Sequence, residues 1–163
     1  LEAIVPVMRG GEMVRRVGED SIEWNDVPRR LEAGTPDIAG VLGMAAAFGW
    51  LERTGREAIA GHEAVLGRRL AEGLQAIRGL TLFSRPGPLA SFIVDGVHAH
   101  DVAGELDRRG YAVRAGTLCA QPLLRQLSVP ALVRASIAAY TTVEEIDGFI
   151  AAVQAIAAAE KAG

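Results

Sequence analysis

The chain has 163 residues, half of them hydrophobic, and a formal charge of −3 spread over interspersed acids and bases. That is one domain's worth of chain, apolar enough for a real core. The absence of any basic run argues against nucleic acid as a partner, and a single cysteine excludes an internal disulfide framework.

The longest apolar run, 38–48, contains glycines and falls short of the ~20 residues that span a bilayer. No charged n-region followed by an apolar stretch opens the chain, so no signal peptide is expected. These features point to a soluble cytoplasmic protein away from membranes. The chain begins at Leu1, which suggests a processed product or an excised fragment, and its only lysine is Lys161.

In chain order, Leu1 to Val5 reads as the end of a helix stopped by Pro6. Met13–Val17 and Ser21–Trp24 read as a hairpin around Gly18-Glu19-Asp20. An irregular stretch follows from Pro28 to Pro36. Asp37 to Arg53 predicts a helix, because Ile38, Val41, Leu42, Ala45 and Phe48 recur at three-and-four spacing. Thr35 and Pro36 offer a cap and a first helical residue for it. Arg56 to Ile77 predicts a second helix, on which His62 reads as a solvated side chain.

Leu80–Phe83 and Ala90–Val94 are strands about an Arg85-Pro86-Gly87-Pro88 turn. His98 and His100 have no further ligands at zinc spacing, so no metal site is expected. Asp101 is the expected cap of the next helix, and Gly110 its terminator. Tyr111–Arg114 and Leu132–Ala138 read as strands, with a helical turn at Gln121–Leu127 between them. Thr141 or Thr142 caps a last helix whose apolar face carries Ile146, Phe149, Ile150, Val153 and Ile156. The predicted class is α+β, an α/β sandwich with a small, mostly antiparallel sheet and helices on one face. Residues 1–36 are expected to form a connecting segment and 37–163 the domain.

Cys119 is placed on a loop leaving a strand, near Arg114. A cation beside a cysteine favours the reactive thiolate; the plain alternative is a buried cysteine acting as a small hydrophobe. Arg134 lies mid-strand between Val133 and Ala135. A guanidinium there can clamp a carboxylate with two parallel hydrogen bonds, or serve a structural ion pair. Arg114 can equally be a surface cation at a strand end. At Gly34-Thr35, glycine permits close backbone approach to a phosphate and threonine offers a hydroxyl.

Arg114-x-Gly116-x-x-Cys119-Ala120-x-Pro122-Leu123, followed by Val129-Pro130-Ala131-x-x-Arg134, resembles the active-cysteine loop and following strand of SufS-type (group II) cysteine desulfurases. These belong to the class V aminotransferase family of pyridoxal phosphate enzymes. Gly10-Gly11-x-Met13, Glu32-Ala33-Gly34-Thr35-Pro36, His98-Ala99-x-Asp101-Val102 and Thr142-x-x-Glu145-Ile146-Asp147 match in order along the chain.

The resemblance implies the small C-terminal domain of such an enzyme. It implies Cys119 as the catalytic thiol that takes sulfur as a persulfide, with Arg134 and Arg114 as substrate-binding residues. Gly34 and Thr35 would reach the cofactor phosphate of a neighbouring subunit. It further implies a lysine-bearing large domain, a homodimeric parent, a sulfur-acceptor protein and a place in iron–sulfur cluster assembly. Thr117-Leu118 departs from the paired histidines usual before the cysteine, which leaves a selenocysteine lyase or another related lyase open as to substrate. The chain alone is expected neither to hold pyridoxal phosphate nor to turn over. A stand-alone sulfur carrier and a structural or dimerisation module are the competing readings.

Overall fold

The computed structural model describes residues 1–160; Lys161 lies outside the described residues. The chain divides into two compact units, Leu1–Arg53 and Thr54–Gly163.

The first unit opens irregularly. Leu1 to Val5 forms no helix, since five residues ahead of a proline are too few to repay nucleation. The hairpin forms as expected: β1 (Val14–Val17) pairs antiparallel with β2 (Ile22–Trp24). The Gly18 amide donates to the Ser21 carbonyl at 2.9 Å across its turn. At its base the Asn25 side chain donates to the carbonyls of Glu12 and Val14. After a short 3-10 turn at Arg29–Leu31, α1 spans Ile38–Thr54. Its cap is Asp37, whose Oδ1 accepts from the Gly40 amide at 2.9 Å. The expectation of Thr35 as cap with Pro36 inside the helix is therefore wrong: the carboxylate two residues on takes the free amide. The apolar stripe of α1 also departs from expectation, because no residue of the helix is buried.

In the second unit, α2 (Arg56–Gln75) precedes β3 (Leu80–Leu82) and β4 (Leu89–Val94). Then come α3 (Ala99–Asp107), β5 (Arg114–Gly116), α4 (Gln121–Leu127), β6 (Leu132–Ser136) and α5 (Val143–Glu160). The sheet order is β3-β4-β6-β5 with every pairing antiparallel. Strand alternation sends Ala90, Phe92, Val94, Val133 and Ala135 to one face. There they join Leu70, Leu74, Val102, Leu106, Phe149 and Val153 of the helices in one core. Phe149 meets Phe92 and Tyr111 edge-on at 6.3 and 5.6 Å between ring centres. The α+β class with helices over one sheet face is what the sequence predicts.

Two boundaries and one side chain differ from expectation. α3 is capped by His98, whose Nδ1 accepts from the His100 amide at 3.3 Å, and Asp101 sits in its first turn. The strand expected at Tyr111–Arg114 instead spans Arg114–Gly116. The Tyr111 amide is spent on the Leu106 carbonyl at the helix end, and its ring is held against Phe149. His62 is exposed but not merely solvated, since Nε2 lies 2.8 Å from the Thr141 carbonyl. Thr142 and Glu145 cap α5 reciprocally, at 2.8 and 3.2 Å, which fixes the cap at Thr142. Arg69 of α2 and Asp147 of α5 form a two-pronged ion pair at 2.5 and 2.7 Å. The guanidinium holds the Asp147 carboxyl below its ordinary range. Among the described residues, no helix is long and apolar enough to cross a membrane.

Glycines on α2 separate packing from propensity. A β-carbon on Gly67 would overlap the backbone carbonyl of Gly87, whereas on Gly61 it would meet nothing within 4 Å. Gly67→Ala should lower stability by about 1–3 kcal/mol, as overpacking against an unyielding backbone does. Gly61→Ala should raise it by about 0.5–1 kcal/mol, the propensity difference. Urea denaturation of the two variants checks both signs.

Candidate active site

β5 carries the chain out of the sheet and straight into the Cys119 loop. Gly116 takes φ +116°, and Leu118 and Cys119 follow at +54° and +58°. The Ala120 amide donates to the Thr117 carbonyl at 2.9 Å. Two successive positive-φ residues inside such a bond define a type I′ turn. That turn ordinarily uses Asn and Gly, and left-handed placement costs other residues about 1–2 kcal/mol each. Strain of this kind is typical of functional sites. α4 begins two residues after the cysteine, with Pro122 in its first turn, so the loop is fixed at both ends.

Cys119 is exposed, which removes the reading of an inert core thiol. The Arg114 Nη2 donates to its Sγ at 3.3 Å. Arg114 stands directly opposite Arg134 in the β5–β6 register, and Arg134 stands opposite Ser91 in β4. Directly opposed residues share a sheet face, and like charges there repel. Val133 and Ala135 face the helix-covered core, so Arg134 is on the other face. The Arg134 Nε is buried and has no hydrogen-bond partner in the described structure. No ion pair accounts for Arg134 among the described residues, contrary to the structural alternative. Two guanidiniums and a thiol thus converge on one strand pair, and the arrangement suits an anionic group presented beside sulfur.

Gly34 and Thr35 belong to the first unit. Gly34 takes φ +87° with open space where a side chain would stand, and its amide is spent on the Gly11 carbonyl at 2.9 Å. With Glu12, Arg29, Glu32 and Pro36 they line a hollow of about 170 Å³. Because Asp37 caps α1, the Thr35 hydroxyl is not consumed in capping.

Two neighbours of the site were not expected there from sequence. Ser91 joins the arginine row only through strand register, which no local pattern reveals. His100 packs its ring edge against Gly116, with Cε1 and Nε2 3.7 Å from where a β-carbon would be, and it stacks on His98 at 5.3 Å. The recurrence of histidine at α3's start was the available signal. Among the described residues, no group of three or more His, Cys, Asp or Glu is placed to hold a metal.

The arginine row is testable on the chain itself. Cys119 should react with iodoacetate faster, relative to iodoacetamide, than free cysteine does. The Arg114→Ala/Arg134→Ala double variant should lower that ratio about tenfold, equivalent to ~1.4 kcal/mol of charge-assisted contact. Alkylation time courses followed by mass measurement check it.

The family described as Aminotransferase class-V matches residues 1–149. A probable cysteine desulfurase of Xylella fastidiosa (strain 9a5c) is 44% identical over 155 residues, 93% of this chain and 37% of the relative. A cysteine desulfurase of Klebsiella pneumoniae (strain 342) is 41% identical over 160 residues, 96% of this chain and 39% of the relative. The apo structure of cysteine desulfurase from Thermococcus onnurineus NA1 superposes with TM-score 0.88 at 33% identity, covering 94% of this chain and 40% of that one. The cysteine desulfurase CsdA of Escherichia coli, in an S-sulfonic acid form, gives 0.85 at 36% identity, covering 92% and 38%. The chain thus spans under two-fifths of the length of the curated relatives described. It belongs to the aminotransferase class-V family and is similar over nearly its whole length to part of the cysteine desulfurases.

Proposed function

We propose that this chain is the small C-terminal domain of a SufS-like, group II cysteine desulfurase that acts in the cytoplasm. The observation that carries the reading is the row on β5 and β6: Arg114 opposite Arg134, with Arg114 donating to Cys119 at 3.3 Å. The relatives' names, which are those of cysteine desulfurases, support it.

On this reading Arg134 receives the substrate's α-carboxylate. Its buried, unpartnered Nε gains an acceptor, and the repulsion between the two arginines is relieved. A planar guanidinium fixes the carboxylate in orientation as well as charge. Arg114 holds the Cys119 sulfur in place for in-line approach. The Cys119 thiolate attacks the sulfur of the substrate cysteine. The new S–S bond forms as the substrate's Cβ–S bond breaks, and that electron pair leaves with the carbon skeleton. After taking up a proton the skeleton departs as alanine, and Cys119 is left as a persulfide for an acceptor protein.

Pyridoxal phosphate, when bound, supplies the electron sink that makes the bond to sulfur breakable. The residues present fit one end of it. The uncommitted Thr35 hydroxyl and the Arg29 cation line the first-unit hollow beside open space at Gly34, and they would meet the phosphate of the cofactor held by a neighbouring subunit. Glu12 and Glu32 on the same rim oppose an anion, so Thr35 is the principal contact. The lysine that must join the cofactor aldehyde belongs to a large domain outside these residues, in a homodimeric parent. The chain alone is therefore expected to lose the cofactor on desalting.

In the complete enzyme, Arg134→Ala should lower kcat/KM for cysteine a hundredfold or more, the cost of one charge-assisted two-pronged contact of about 3 kcal/mol. Arg134→Lys should recover only part of it. Cys119→Ala should abolish the persulfide, detected as a 32 Da adduct removed by reductant, while cysteine still binds. Unchanged kcat/KM in Arg134→Ala, or persistent adduct in Cys119→Ala, would refute the assignment.

A further inference from the structure

From Ile38 to Leu51, α1 carries no charged residue. It nevertheless has no buried residue. Ile38, Val41, Leu42 and Phe48 lie 55–65% exposed. Their offsets of three, four and ten from Ile38 place them on one face of the helix. The other side carries Ala39, Gly43, Ala46 and Ala47, with Trp50 half exposed in the last turn, and a β-carbon on Gly43 would meet nothing within 4 Å. The helix is therefore apolar on every side, with large side chains on one face and mostly small ones around Gly43 on the other. A helix apolar all round is an interior helix, and exposed apolar patches of this extent mark contact surfaces.

The kind of cover follows from the charge pattern and from length. Transient interfaces ring their apolar centre with polar residues, whereas permanent ones resemble a domain core cut in half. α1 has no such ring before Glu52 and Arg53. The relatives carry more than three-fifths of their length outside the matched part, which is ample chain to cover it permanently. We propose that α1 is an interior helix of the complete protein, its Ile38–Val41–Leu42–Phe48 face covered by the part of its own polypeptide outside these 163 residues. This names the surface on which the large domain would sit. It rests on the family assignment and the relatives' length, not on the sulfur chemistry.

The test places p-benzoylphenylalanine at Phe48 in the complete gene product and identifies the photoproduct by peptide mass spectrometry. The expected result is an intramolecular crosslink from position 48 to a peptide outside the 163 residues, with a yield independent of protein concentration. Amide exchange across α1 should also be at least about a hundredfold slower there than in the 163-residue chain. A crosslink between position 48 and residues 1–163 of a second copy would overturn the proposal, as would no crosslink with equal exchange in both proteins. An unchanged Cys119 alkylation rate shows that the labelled protein is folded. Persulfide formation is measured separately, so a failure of the desulfurase reading leaves this result standing.

Discussion

The candidate site depends on the alternation of β6 between two partner strands. Val133 and Ala135 are drawn into the helix-covered core, and that burial forces Arg134 onto the opposite face. Pairing with β5 then sets Arg134 against Arg114, and pairing with β4 sets it against Ser91. A slip of one residue in either register would bury the guanidinium or separate the pair. The hydrophobic effect on one face of the sheet thus determines the electrostatics of the other. The cost is two like charges side by side and a buried donor without an acceptor. Such a cost is ordinarily tolerated where a ligand repays it.

The cysteine loop obeys the same economy of position. β5 ends at Gly116, and His100 packs against the spot where any larger residue would project. The chain must reverse at once to enter α4, and it does so through Leu118 and Cys119 in left-handed conformation. The sulfur is consequently held within reach of the Arg114 it follows by five residues, on a tight turn rather than a long mobile arm. Strain in the turn, anchorage by α4 and the Arg114 contact are parts of one arrangement.

Much of this was legible in the sequence because it is written in local chemistry. Threonine and glutamate three residues apart announced the cap of α5, and three-and-four spacing announced α1, α2 and α5. Short apolar runs beside turn residues announced β4 and β6. What was not legible is what depends on distant partners. Tyr111 looks like strand but is claimed by Phe149 and by the Leu106 carbonyl. The caps of α1 and α3 went to Asp37 and His98 because several nearby residues could serve and only geometry chooses. The turn at Leu118-Cys119 has neither asparagine nor glycine to signal it. Cys119 and Arg134 were found through motif resemblance; the opposition of Arg134 to Arg114 required the register.

The exposed stripe of α1 exposes the limit of periodicity as evidence. Ile38, Val41, Leu42, Ala45 and Phe48 carry the pattern of a buried face, and the helix they predict is present. Pattern reports what a face was selected to meet, whereas burial reports what meets it among the described residues. When the two disagree over a whole helix, the missing term is a partner. The second unit shows the contrast: there most patterned positions of α2 and α5 are buried, as Leu66, Leu70, Leu74, Ile146, Phe149 and Val153 attest, although Val65 is half exposed. One unit has its core within itself; the other presents α1 as half of one. That asymmetry fits a chain whose thiol and arginines are assembled on the self-sufficient unit. The Gly34-Thr35 hollow and the uncovered helix lie on the unit that still requires the rest of the protein.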